Sequence, residues 1–473
     1  MRNNKSKLYS AIRFATLAAV VAPASALAGG FALNEQSASA MGVANAGTAA
    51  NPENATTVLF NPAGMSQLSG TNLSFGAAVL DIDAEAKDDA RATNQLGLPV
   101  QGSSGGDIAD PAVLPNLYMT REISDSVDVG FGIHAPFGLA ADYDDDFVGR
   151  YFADETELTA ISFSPSISVN NGSGLSMGAG INIIYAEGKL TRFLDNSAAS
   201  AAVTAPSGTP NPGFYDQGYA DIEGDDVGVT FRVGFLYELS EQTQFGLMVQ
   251  TGTELELEGD ADLTNYVNPA NGVVTPTSVS ERVVVPLAIP ESITVGARHQ
   301  LTDTVTLLAG ATYAKWSRFE ELDIVSRETG GDITGAPQEG AVLSHVTEKW
   351  QNTWQFNLGA IWQATPEWAF KTGYAFDESP VNEDFVTARI PSNDRHWLTL
   401  GAQWADERSG WTVDVAAGTL IFDGNGRVDE RNYQHENPSQ VAELQPGVPD
   451  QSNYQGEYEL DAWSAGIQVS KAF

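Results

Sequence analysis

Tight joints and long joints alternate along this chain of 473 residues, and between them lie stretches with a two-residue apolar period. Fourteen such stretches are predicted as strands: 71–82, 113–122, 127–143, 156–169, 175–192, 219–239, 244–258, 281–300, 304–325, 349–364, 367–377, 393–405, 411–422 and 457–473. The joints at 123–126, 170–174, 240–243, 301–303, 364–366 and 405–410 are short. Those at 83–112, 193–218, 259–280, 326–348, 378–392 and 423–456 are long, acidic and rich in Pro, Gly and Asn. This asymmetry belongs to a transmembrane barrel with tight periplasmic turns and long outer loops. An even strand count also returns both chain ends to the periplasmic side. The expected fold class is all-β, a transmembrane antiparallel β-barrel of about 14 strands.

The two faces of each strand agree. Leu175, Met177, Ala179, Ile181, Ile183 and Tyr185 share one parity, opposite Ser176, Gly178, Gly180 and Asn182. Val227, Val229, Phe231, Val233, Phe235 and Tyr237 stand opposite Gly228, Thr230, Arg232 and Gly234. Trp350, Trp354, Phe356, Leu358, Ala360 and Trp362 stand opposite Gln351, Thr353, Gln355 and Asn357. An apolar face and a polar, glycine-rich face suit a wall between lipid and a wet interior. A half-buried soluble sheet alternates too, but it seldom ends so many strands in aromatics such as Tyr185, Tyr237, Tyr313 and Trp463. The last stretch closes on Phe473, which resembles the signal read by the assembly machinery of outer-membrane barrels.

Residues 1–28 read as a signal peptide. Arg2, Lys5, Lys7 and Arg13 lead an apolar run too short to span a bilayer, and Ala26, Leu27 and Ala28 form a small-residue cleavage site. Its removal leaves 20 bases against 61 acids, a net charge of −41. That balance argues against nucleic acid and against an anionic surface bound through basic residues. No later apolar run approaches the ~20 residues of a membrane helix. The chain has no cysteine, which suits export without disulfides. Residues 29–70 are rich in Ala, Gly, Ser and Asn and have neither a period of two nor a helical stripe. Such a segment cannot bury enough apolar surface to fold alone. Composition alone favours a flexible linker; inside a barrel built by 71–473 it reads as an N-terminal hatch.

Several stretches together carry a family likeness: Asn61, Pro62 and Ala63; HAPFGLAADY at 134–143; YAKWSRFEEL at 313–322; FDESP at 376–380; and RIPSNDRHW at 389–397. In this order they resemble the FadL family of outer-membrane transporters of long-chain fatty acids and other hydrophobic compounds. The resemblance covers nearly the whole chain after the signal. It implies a monomeric barrel in the bacterial outer membrane, closed by the hatch. Its ligand, a long-chain fatty acid or a hydrocarbon, is caught in an apolar groove among the outer loops. From there it passes to an inner site and leaves sideways through a kink in the third strand. The implied transport is passive, with no enzyme activity, cofactor or metal. The other implied partners are outer-membrane lipid, lipopolysaccharide and the barrel assembly machinery.

The residues matching that kink are Pro136, Phe137 and Gly138. Proline lacks a ladder donor and glycine leaves a bendable position, so pairing is expected to lapse there. Read without the resemblance, they mark a strand end equally well. Arg192 has lumen parity within YAEGKLTRF (185–193), which resembles the family stretch whose arginine holds the ligand's head group. Its fixed fork of donors suits a carboxylate. Lys349 shares lumen parity with Gln351 and Thr353. Both bases read alternatively as partners of lumen carboxylates. By resemblance, Phe31 and Leu33 reach the inner pocket and Asn61, Pro62 and Ala63 lie beside the kink. Trp316 and Phe319 fit equally well as girdle residues.

The clusters Asp142, Asp144, Asp145, Asp146 and Asp423, Asn425, Asp429 read as solvated loops; the second departs from the calcium-loop pattern. Divalent ions near lipopolysaccharide phosphates would screen this charge. His134, His299, His345, His396 and His435 form no close metal pair in sequence. Three rival functions are a hydrocarbon channel of the same fold, a general porin with an open lumen, and a surface-interaction protein working through its acidic loops.

Overall fold

The computed structural model describes residues 30–202, 215–267, 276–431, 443–445 and 448–473. The expected signal peptide, 1–28, lies outside the described residues, as does His435. Fourteen antiparallel strands form a closed barrel. In chain order they are β1 (Thr71–Ala86), β2 (Ala112–Ser124), β3 (Val127–His134 and Gly138–Asp142), β4 (Glu155–Phe163 and Ser166–Asn170) and β5 (Leu175–Leu194). Next come β6 (Gly218–Ser240), β7 (Thr243–Gln250 and Thr253–Tyr266), β8 (Thr277–Ile289 and Ser292–Thr302), β9 (Val305–Ala314 and Glu321–Ser326) and β10 (Val342–Thr347 and Thr353–Gln363). The last are β11 (Trp368–Asp377), β12 (Arg395–Asp406), β13 (Trp411–Phe422 and Gly426–Glu430) and β14 (Asn453–Ala472). Closure is made by β1 on β14, in register from Asn72↔Ala472 to Ala86↔Tyr458.

The alternation in the sequence becomes an outer apolar belt. Phe75, Leu117, Ile181, Phe231, Leu358, Leu400 and Ile467 all stand exposed on it. So continuous an exposed apolar surface marks contact with lipid. Tyr237 lies near a strand end on this face, whereas Trp463, expected at one, stands in the middle of β14; both are about half exposed, and the Trp463 indole donates to Asp81 at 2.8 Å.

Inside sits the segment 30–70. It contains α1 (Ala38–Met41, capped by the Ser37 side chain), α2 (Thr57–Phe60) and a 3-10 turn at Pro62–Gln67. Because it makes little ladder of its own, its backbone carbonyls are taken up by wall side chains. Asn357 donates to the Ala44 carbonyl at 2.6 Å, and Gln244 donates to that of Ala50. The lumen glycines explain how backbone comes so close to backbone. A Cβ on Gly234 would lie 1.9 Å from Asn61 Oδ1, and one on Gly178 would lie 2.3 Å from the Ala63 nitrogen. Lys371 of β11 fastens the hatch further, pairing with Glu53 at 2.6 Å and with Asp414 of β13 at 3.0 Å.

Three expectations are corrected. The strand predicted at 349–364 begins at Thr353, and Lys349 takes a left-handed φ of 44°. Parity therefore does not run through to Trp350, which is buried inside the barrel instead of facing lipid. The loop predicted at 326–348 holds Val342–Thr347, which pairs with Glu321–Ser326. Tyr185 is buried and donates to Glu187 at 3.3 Å, so it is no exposed rim residue.

Candidate functional site

The wall is interrupted at β3. Residues 135–137 belong to no strand. β2 pairs with β3 only from Leu117↔Ile133 to Ser124↔Val127, although it pairs with β1 up to Leu80↔Ala112. Beyond the break, the only strand that Gly138–Asp142 pairs with among the described residues is β4, and its Asp142 N–H donates to the Ile108 carbonyl at 2.9 Å. Pro136 has no N–H to offer, which accounts for the lapse. The hatch takes the empty place: Leu33 N–H donates to the Pro136 carbonyl at 3.2 Å, and Gly138 N–H donates to the Phe31 carbonyl at 2.9 Å.

Phe31 is the centre of an aromatic cluster. Its ring lies 4.8 Å from Trp316, 5.6 Å from Trp350, 5.8 Å from Phe137 and 6.1 Å from Phe319. Gly30 precedes it with φ +67°, and a Cβ there would stand 2.7 Å from the Trp316 ring. Only glycine lets the chain enter this cluster.

Cavities lie on both sides of the cluster. On one side is an apolar space of about 60 Å³ lined by Phe31, Leu139, Leu158, Ile222, Leu257 and Leu287. It shares Leu190, Ile222, Leu322 and Arg389 with a chamber of about 500 Å³ that carries Arg192, Ser344, Glu430 and Asp450. On the other side a space of about 240 Å³ is lined by Leu33, Leu59, His134, Pro136, Phe137 and Trp316.

The polar end of this system is charged. Arg192 donates to Ser344 Oγ at 3.4 Å. Arg389 is buried and held by the Glu155 carbonyl at 3.2 Å, Thr156 Oγ1 at 2.7 Å and the Thr191 carbonyl at 2.8 Å. Burial pushes the Glu348 carboxyl up to about 8, although the Trp350 indole donates to it at 2.9 Å. Glu430 is likewise pushed up to about 7 by burial, against the pull of the Ala388 N–H and the two arginines. Such a chamber can receive an acid head group while its apolar end receives a chain.

The predicted residues are therefore only partly brought together. Arg192, Phe31, Leu33, Pro136, Phe137 and Gly138 line or border this system of cavities. Lys349 does not line it; its ammonium lies 5.4 Å from the centre of the Phe385 ring. The turn of Asn61, Pro62 and Ala63 is not beside the β3 break. It packs on β5 and β6 at Gly178 and Gly234, and Asn61 donates to the Phe235 carbonyl at 3.0 Å. A recess of about 1580 Å³ among the described outer loops is lined mainly by polar residues, including Glu378, Asp384, Asp394 and Arg427. It is no apolar groove.

Sequence reasoning did not single out Arg389 or Trp350, and it left Trp316 and Phe319 open as girdle residues; the last two and Trp350 stand in the cluster around Phe31. The signal for Trp316 and Phe319 was the loss of alternation between Lys315 and Glu320. It also missed Glu321, Asp323 and His345, whose ligand atoms lie within 4.8 Å of one another. His345 Nδ1 is 2.6 Å from Asp323 Oδ1.

A family model described as "Outer membrane protein transport protein (OMPP1/FadL/TodX)" matches residues 19–473. The long-chain fatty acid transport protein of Escherichia coli O6:H1 is 25% identical over 461 residues, 94% of each chain. The crystal structure of a Pseudomonas aeruginosa FadL homologue superposes with a TM-score of 0.78 at 20% identity, covering 94% of this chain and 100% of that one. That of the Pseudomonas putida toluene transporter TodX gives 0.64 at 17% identity, covering 94% and 99%.

Proposed function

Because the chain belongs to the outer-membrane transport family of OMPP1, FadL and TodX, we propose that it carries long-chain fatty acids or similar hydrophobic molecules inward by passive diffusion. The molecule enters the chamber at Arg192 and Arg389, settles its chain against Phe31, and leaves sideways into the membrane between β2 and β3. The observation that supports this path is the lapse of strand pairing beside Pro136, where only the hatch stands in. The chemistry agrees. Lipopolysaccharide is a polar barrier to an apolar solute, whereas a greasy pocket opening into lipid is not. No energy source is required, since the solute ends where its burial is already favourable. The signal peptide, the assembly machinery and a monomeric state belong to the same reading.

The nearly apolar lining of the cavity at Leu139, Leu257 and Leu287 favours a second reading, a hydrocarbon as cargo, and a structural neighbour is titled a toluene transporter. The test of lateral release is uptake of labelled oleate by cells lacking other fatty acid transporters. The variant combines Ala135→Thr with Pro136→Val, which restores a ladder donor. Uptake should be lost while oleate binding to the purified protein persists; unchanged uptake would rule out the sideways exit.

A further inference from the structure

Arg232 faces the lumen from β6 and is among the most deeply buried side chains of the protein, 1% exposed. Its Nη1 donates to the Leu59 carbonyl of the hatch at 2.5 Å. Nε and Nη2 have no hydrogen-bond partner, and among the described residues no carboxylate pairs with this guanidinium. On the wall Arg232 is in register with Gly180 of β5, which is in register with Ser166 of β4. Gly180 puts no side chain between them. A Cβ there would lie 2.5 Å from Ser166 Oγ, an atom that is itself buried without a partner.

His134, the last residue before the β3 break, completes the place. It is buried, its Nδ1 has no partner, and its ring stacks on Tyr118 at 5.9 Å. Tyr118 and His134 are both within reach of the Arg232 charge. Leu59, His134 and Gln250, the ladder partner of Arg232, line the cavity of about 240 Å³ that extends to Pro136 and Phe137.

A guanidinium removed from water with one carbonyl for company carries uncompensated charge, which is strongly unfavourable. Its side-chain neighbours Ser166, Tyr118 and His134 are hydrogen-bonding groups, and none is an acid. An anion with acceptor oxygens satisfies both free nitrogens at once, in the forked geometry arginine prefers. We propose that Arg232, with Ser166 and His134, forms a second carboxylate-binding station at the foot of the β3 break. The head group of an anionic amphiphile sits there while its chain lies in the cavity beside Pro136. For the source of that carboxylate the proposal rests on the transport reading above.

The experiment titrates laurate, labelled with carbon-13 at the carboxyl, into the full-length protein in detergent, with NMR as readout. The wild type should give two bound carboxylate signals. Arg232→Met should lose one and keep the other, and Arg232→Lys should retain both with weaker binding at one. Ser166→Leu, which fills the slot beside Gly180, should lose the same signal as Arg232→Met and so guards against a folding defect in the latter. Two signals insensitive to Arg232 and Ser166 overturn the station alone. A wild type that binds no laurate overturns the station and the transport reading together. Chloride or acetate binding there as tightly as laurate would make it a small-ion site and overturn the proposal.

Discussion

Leu33 bonds to the carbonyl of Pro136, the residue of the β3 break that has no N–H to return. The reciprocal bond comes from Gly138 to Phe31. The hatch thus supplies at this point the partner that β2 does not, and displacing residues 30–33 strands a donor and an acceptor of the wall.

Leu33→Pro removes the donor. The expected cost is local, about 1 kcal/mol. Amide exchange at Gly138 should accelerate by roughly fivefold, while the melting of the barrel stays unchanged. Unaltered exchange at Gly138 would mean that hatch and wall are not coupled there.

Lys371→Met leaves Asp414 and Glu53 facing each other without their cation. Breaking a buried pair this way costs about 3–5 kcal/mol, and the loss falls on the hatch, because Lys371 also donates to the Ser39 carbonyl at 3.2 Å. Ion conductance in planar bilayers and proteolysis within 30–70 should both rise. Adding Asp414→Asn should recover part of the loss.

Burial pushes the Glu348 and Glu430 carboxyls up to about 8 and about 7, from the ordinary 4.5. In the folded chain they keep protons that the unfolded chain has released. Their contribution to stability is therefore complete below about pH 4.5 and lost as pH rises through 7 and 8. The same ionisation places negative charge beside Arg389 and, from Glu430, beside Arg192 as well. Calorimetric affinity for laurate should fall between pH 6.5 and 9, and Glu348→Gln with Glu430→Gln should flatten the profile. Binding of a matching alkane should not change over this range.

Arg192→Ala should weaken laurate by about tenfold or more, the worth of a hydrogen bond to a charged group, and leave dodecane untouched. Equal losses for both ligands would remove Arg192 from the head-group role and favour the hydrocarbon reading.

Most of the barrel was legible because lipid and lumen impose opposite demands on alternate residues, and glycine on the lumen face reports the close approach of the hatch. Parity failed where the backbone leaves the strand. Trp350 lies beyond a left-handed Lys349 and ahead of Thr353, so its direction could not be counted from Trp354. Arg192 was visible because its strand runs unbroken from Leu175. Arg389 was not, since it sits on a loop held to three groups of β4 and β5 far away in sequence. The place of Asn61, Pro62 and Ala63 was carried only by likeness; the contacts at Gly178 and Gly234 are long-range and no local pattern encodes them.

Thr71 and Phe473 exchange both of their backbone bonds, at 3.4 and 2.9 Å. The seam of the cylinder is therefore fastened at the point where the first strand leaves the hatch. Tethered at Gly70 beside that seam, the leading segment is anchored where its own wall closes, so the plug and the closure of the cylinder share one fixed point.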